Sequence, residues 1–104
     1  MAVYTIGAGV TIGTVTVAEG ESGSFVFSRM FPAFKIVNNT SGTIYFSRDG
    51  ALTADNITSD NVIDVPTNTS VPIQYLQSSK ILYFYAAAAG VVKVIASNSM
   101  QAFR

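Results

Sequence analysis

The chain contains no cysteine, no histidine and no tryptophan. Without cysteine the fold has no disulfide and no thiolate metal site. Cysteine usage therefore does not indicate whether the protein works in an oxidising or a reducing compartment. Without histidine the Ser–His and Cys–His arrangements of nucleophilic catalysis and the usual zinc sites are excluded. These absences remove the commonest catalytic and metal-binding arrangements before any motif is considered.

Charged residues are scarce as well, at 12% of the chain against a usual value of about 25%. Six basic and six acidic residues cancel, and the basic ones are scattered, so nothing indicates binding to the phosphates of a nucleic acid. Hydrophobic residues make up 49% of the chain. We therefore expect a surface made of Thr, Ser and Asn and covered in part by other subunits.

The remaining routes to catalysis are weak. Glu19 and Glu21 lie two apart in a Gly/Ser turn rather than across a rigid cleft, which is typical of solvated turn charges and not of a glycosidase pair. A Ser/Lys dyad would require a buried lysine, and Lys80, beside two serines, lies in a predicted polar turn. The aspartates of the polar segment 49–64 lack the spacing of a calcium loop. The sequence predicts a protein that is not an enzyme and that uses no metal and no cofactor.

What the chain does have is one long apolar stretch, residues 78–97 (SSKILYFYAAAAGVVKVIAS). Its side chains alternate at period two on either side of an Ala/Gly corner at 87–90, which predicts a hairpin of two buried strands. A membrane span is the rival interpretation. Gly90 and Lys93 in the second half, together with the aromatic and β-branched ends, argue against it, so we expect no membrane partner.

The first 18 residues are rich in Val, Thr, Ile and Gly, which suits extended chain. Their apolar phase changes at Gly13, which predicts a bulge or a strand that crosses to another sheet or subunit. Residues 1–9 are either an arm that becomes ordered against a neighbour or an ordinary first strand with a frayed end. The start of the chain does not resemble a secretory signal. We expect an extended arm or strand over 1–18 and a single β-sandwich domain over 19–104.

Short strands and turns follow along the rest of the chain. We predict a strand at 25–29, a loop at 30–33 stopped by Pro32, a hairpin of 34–39 with 43–49, and an edge strand at 70–76 containing Pro72. With the first segment, a short strand at 61–65 and the 78–97 pair, this makes about eight short strands with no helical period. The predicted fold is an all-β antiparallel sandwich or small barrel of jelly-roll or immunoglobulin-like type.

Several large apolar side chains lie where a core does not obviously need them. Met30 and Phe31 either plug the end of the core or contact another chain, and the tail after residue 97 carries two more. The predicted subunit interface consists of Val3, Tyr4, Ile6, Val10, Ile12, Met30, Phe31, Met100 and Phe103.

Three stretches together carry a family resemblance: FKIVNNTSGTIYFSRDG (34–50), VIDVPTNTSVPIQYL (62–76) and SSKILYFYAAAAGVVKV (78–94). Their order resembles small β-sandwich virion proteins of tailed bacteriophages, including capsid decoration (cement) proteins, over residues 34–96. The resemblance implies a non-enzymatic particle component, as a homotrimer or another symmetric cluster, seated on the lattice of a major capsid protein. Its place would be the capsid surface of the virion, after a period in the host cytoplasm. Some relatives instead form head fibres, tail parts or adaptors.

A lectin-like sandwich is the alternative function. Carbohydrates are usually held by exposed aromatic rings beside polar side chains. The chain has no Trp, but Tyr45, Tyr83 and Tyr85 with the Asn/Asp-rich loops could substitute for it, so a glycan remains a possible ligand.

Overall fold

The computed structural model describes residues 2–6, 12–58 and 61–99. These residues form one open sheet of seven strands without a helix, which confirms the all-β prediction. The sheet order is β2-β7-β3-β6-β4-β5, and β1 pairs in parallel with β3, the one exception to antiparallel pairing. The strands are β1 (Ala2–Thr5), β2 (Ile12–Val17), β3 (Ser22–Thr40), β4 (Ile44–Ser47), β5 (Ile63–Val65), β6 (Thr69–Ala86) and β7 (Gly90–Ser97).

Two long strands divide the sheet into two layers. β3 pairs with β6 at both of its ends, and the register shifts between residues 26 and 33. We call the part formed by β1, β4, β5, 22–26 and 81–86 the first layer, and the part formed by β2, β7, 33–40 and 69–74 the second layer.

The predicted loop at 30–33 is wrong, because β3 runs through it. Pro32 lies where the register shifts, so its missing N–H interrupts no regular ladder. For the same reason the eight short strands of the prediction become fewer and longer: 25–29 and 34–39 are both parts of β3, and 70–76 and 81–86 are both parts of β6.

One apolar cluster fills the space between the layers. Phe25 of the first layer stacks on Phe84 with ring centroids 4.7 Å apart, and Phe27 contacts Phe34 of the second layer at 5.6 Å. The irregular register in β3 lets Phe25 and Phe34, which differ in parity, both point inward. The small β-sandwich therefore closes around a single core.

Both predicted hairpins are wrong in their pairing, although their turns lie where expected. β7 follows β6 after 87–89 but pairs with β2 and β3, and β4 follows β3 but pairs with β5 and β6. Each connection therefore crosses from one layer to the other. At the β6–β7 crossing a Cβ on Gly90, which has a φ of +148°, would lie 2.7 Å from the Cα of Thr40, so glycine is required.

The described parts of the first 18 residues belong to the sheet. Ile6 and Val17 are buried in the core. Gly13 pairs with Val94 in a regular register, so the predicted bulge is not there, and a crossing to another subunit stays a prediction. A Cβ at this position would approach the Cδ1 of Ile6 to 2.1 Å, so the glycine makes room for that side chain. The boundary after residue 18 stays a prediction.

The predicted edge strand is confirmed. Residues 69–74 of β6 pair with β3 on one side and with no other described strand. Val71, Ile73 and Tyr75 pack against the core, as the alternation indicated. No helix among the described residues has the length and apolar character that crossing a membrane requires.

Candidate functional site

A groove of about 490 Å³ lies between β1 and β2 and is lined by residues 3–6 and 12–16. Its lining contains no charged residue. Tyr4 and Val15 pack against the core from within it. Val3 and Ile12 keep 61% and 51% of their surfaces exposed. The groove therefore presents an uncharged surface on which apolar side chains alternate with threonines.

Backbone groups also face this groove. Among the described residues β1 pairs only with β3, and β2 pairs only with β7, so one side of each strand has no partner there. A free strand edge is a row of unpaired N–H and C=O groups that can accept another strand. The chemistry available here is the binding of an extended apolar segment.

Glu21 fixes one wall of the groove. Tyr4 donates its hydroxyl hydrogen to Oε2 of Glu21 at 2.5 Å, and Oε1 accepts the Ala18 N–H at 2.7 Å. The hydrogen bond to Glu21 raises the pKa of Tyr4 to about 12, with smaller contributions from burial and from the carboxylate charge. One side chain thus ties β1 to the turn between β2 and β3. The sequence indicated only a solvated turn charge, because nothing in it places Tyr4 beside Glu21.

The structure brings four of the nine predicted interface residues together. Val3, Tyr4, Ile6 and Ile12 all line the groove, although Ile6 is only 5% exposed. Val10, Met100 and Phe103 lie outside the described residues. The interface itself stays a prediction.

Met30 and Phe31 lie elsewhere on β3 and do not line the groove. Phe31 is buried in the core, where its ring meets that of Phe27 edge-on at 5.9 Å and the guanidinium of Arg29 lies 4.9 Å from its centroid. Met30 is 58% exposed. Of the two interpretations of this pair, plugging the core describes Phe31, and only Met30 is accessible to another chain.

A second surface lies on the outer face of the first layer. Tyr45, Tyr83 and Tyr85 alternate with buried residues of β4 and β6, so their rings stand on the outside. Tyr45 and Tyr85 are cross-strand partners with ring centroids 6.4 Å apart, and the same row continues to Asp64 and Ser22. None of the three hydroxyls bonds another residue in the described part of the chain.

A second, smaller cavity of about 180 Å³ lies beside the polar segment after β4. Asn61 donates to Asp49 at 3.0 Å, and Asn56 donates to the Ala51 carbonyl at 3.1 Å. These bonds hold the loop to itself. Within residues 2–6, 12–58 and 61–99 no three acidic side chains cluster in a way that could hold a metal ion.

Comparison of the chain with protein-family models, with curated proteins and with solved structures finds no match in any of the three.

Proposed function

We propose that this chain is a non-enzymatic structural subunit of a virus particle, of the capsid decoration (cement) type, that binds copies of itself and an assembled shell. The observation that carries the proposal is the uncharged groove between two free strand edges. The resemblance over residues 34–96 supports a role in such a particle.

The rest of the surface supports the same proposal. With only 12% charged residues, the chain exposes large apolar side chains at several places outside any pocket. Leu76 is fully exposed, and Met30 and Val91 are 58% and 38% exposed. Each is unremarkable alone, but with the groove they supply the apolar area that protein contacts bury.

The mechanism is stabilisation by mass action. A subunit that binds the assembled shell, and does not bind dissociated capsid proteins, shifts the equilibrium toward the shell. Several weak contacts held on one lattice then add through their effective concentration. The rigid sandwich supplies the body, and the exposed apolar side chains supply the contacts.

The test is sedimentation with empty heads of the phage that encodes the chain. Wild-type protein is expected to sediment with the heads, and Ile12→Lys to stay in solution, because a lysine at the groove places a charge where apolar contacts form. Ser28→Lys is the matched control, since Ser28 is also an exposed strand residue but lies outside the groove and is not one of the apolar contacts. Failure of the wild-type protein to bind heads would contradict the proposal.

A second candidate function is carbohydrate binding, and the tyrosine row favours it. Tyr45 and Tyr85 offer neighbouring rings, with the carboxylate of Asp64 and the hydroxyl of Ser22 in the same row. Aromatic faces beside polar groups suit sugars. Titration with a panel of soluble oligosaccharides, comparing wild type with Tyr45→Ala and Tyr85→Ala, tests this function. Saturable binding that both substitutions remove would support it, and no binding by the wild type would rule it out for that panel.

A further inference from the structure

Four strand edges are free in the part of the chain that the structure describes: those of β1, β2, β5 and residues 69–74 of β6. Proteins usually protect free edges by shortness, charge, proline or a bulge. β1 and β5 are only four and three residues long. The β6 edge contains Pro72, which has no N–H to offer a new strand.

β2 has none of these protections. It is six residues long, its sequence IGTVTV has no charge and no proline, and its register with β7 is regular over all six pairs. Val, Ile and Thr are strong strand formers. Neither Thr14 nor Thr16 makes a side-chain hydrogen bond to another described residue. An edge of this kind is open to pairing with another chain.

We propose that β2 pairs in antiparallel fashion with β2 of a second copy, about a two-fold axis at Thr14. The inference deepens the proposed self-association. In this register Thr14 faces Thr14 of the partner subunit, and Ile12 faces Thr16 of the partner subunit. Facing residues lie on the same side of the sheet, so the pairing covers Ile12, which is 51% exposed in the single chain.

The strand is complementary to itself, which favours a second copy over a foreign strand. The axis creates a Thr–Thr pair, a combination that stabilises antiparallel sheets. It sets Gly13, which has no side chain, opposite Val15 of the partner subunit. No charge on β2 repels its own copy. The pairing joins the second layers of two subunits into one sheet and gives a two-fold dimer, in contrast to the homotrimer that the resemblance implies.

The absence of cysteine makes the register directly testable, because any introduced cysteine is the only thiol. Thr14→Cys and Thr16→Cys are compared under mild oxidation at equal concentration. Facing Cα atoms lie about 4.5–5.5 Å apart, within disulfide reach. The two Thr16 positions are offset by four residues and are about 14 Å apart along the strand, outside that reach. We expect Thr14→Cys to cross-link at least about ten-fold faster.

Cross-linking of Thr14→Cys at the rate of Thr16→Cys or slower, or of neither, overturns the inference. Thr14→Lys provides a second test: it is expected to be a monomer at concentrations where the wild type is a dimer, and an unchanged dimer overturns the inference. Binding of the wild type to empty heads is measured separately. If the wild type binds heads but Thr14→Cys does not cross-link, the β2 pairing is wrong and the proposed function stands. If Thr14→Cys cross-links but the wild type does not bind heads, only the particle role is overturned.

Discussion

At the scale of single residues, the most constrained polar group in the described structure is Asn38. Its side chain is buried; Nδ2 donates to the Gly42 and Val65 carbonyls at 2.8 Å each, and Oδ1 accepts from the N–H and the hydroxyl of Thr40. The amide therefore joins the end of β3 to the following turn and to β5. The sequence predicted only that residue 38 lies in a hairpin strand, because the partner at Val65 is 27 residues away.

Asn38→Ala is expected to lower the free energy of unfolding by about 2–4 kcal/mol, because buried carbonyl and N–H groups lose their partners. Asn39→Ala is the control: Asn39 is the next residue and is exposed, and its substitution should change stability by less than about 0.5 kcal/mol. Urea denaturation of both variants decides the point. Equal effects of the two substitutions would contradict the role assigned to Asn38.

Two tyrosines, Tyr4 and Tyr75, make the free energy of unfolding depend on pH in the alkaline range. The pKa of Tyr4 is raised from 10.0 to about 12, chiefly by its hydrogen bond to Glu21. Burial, and then the charge of Asp49, raise the pKa of Tyr75 to about 12, although Arg48 opposes this. Because the folded pKa values exceed the unfolded value, the unfolded chain loses these protons first. The stabilisation is complete below pH 10 and is lost as the pH rises toward 12.

Denaturation midpoints measured at a series of alkaline pH values test this dependence. Stability of the wild type should fall between pH 10 and 12. Tyr4→Phe and Tyr75→Phe should each reduce the fall, and the double variant should reduce it further. A fall of the same size in the double variant would show that other groups are responsible.

At the scale of elements, the sequence predicted turns and strand faces better than strand partners. The alternation in 81–86 and 91–96 separates two faces of each strand, and the face that carries Leu82, Phe84 and Val92 is the buried one. Alternation reports which face of a strand is buried, and does not report whether the next turn folds back within a layer or crosses the core. For this reason both predicted hairpins had correct turns and wrong pairing.

The same limit applies to the candidate site. Four groove residues were predicted as contacts because they are apolar and lie near the chain start, but the groove exists only because β1 and β2 join different layers. The predicted end of the strand before Pro32 is wrong, because a proline at a register shift removes no regular hydrogen bond between strands. Long-range placement, and not local propensity, was the missing information.

The attachment of β1 to β3 depends on Gly23. A Cβ at this position would lie 2.3 Å from the Ala2 carbonyl oxygen and 3.0 Å from the Phe84 ring. Gly23→Ala is therefore expected to displace β1 and to cost about 1–3 kcal/mol of stability. Hydrogen exchange should report the displacement at the Ile6 N–H, which donates to the Val26 carbonyl at 2.8 Å in the intact sheet.

Gly50→Ala is the control for that substitution, because a Cβ at Gly50 would meet nothing within 4 Å. Its stability and its Ile6 exchange rate should match those of the wild type. If Gly23→Ala also leaves the Ile6 exchange rate unchanged, the close packing of β1 on β3 is contradicted.

At the scale of the whole molecule, the proposed function requires that other subunits cover part of the surface that is exposed in the single chain. The chain has few charges, and its described part has one unprotected strand edge, an uncharged groove and a buried apolar core. Exposed surface of this kind is typical of proteins that assemble with other subunits, as proposed.

The most direct test of that claim is the molar mass of the purified protein, measured by light scattering at increasing concentration, alone and after mixing with empty heads. The account predicts a mass that rises above that of one 11.0 kDa chain and protein that elutes with the heads. A constant 11.0 kDa at every concentration, with all of the protein separate from the heads, would contradict it.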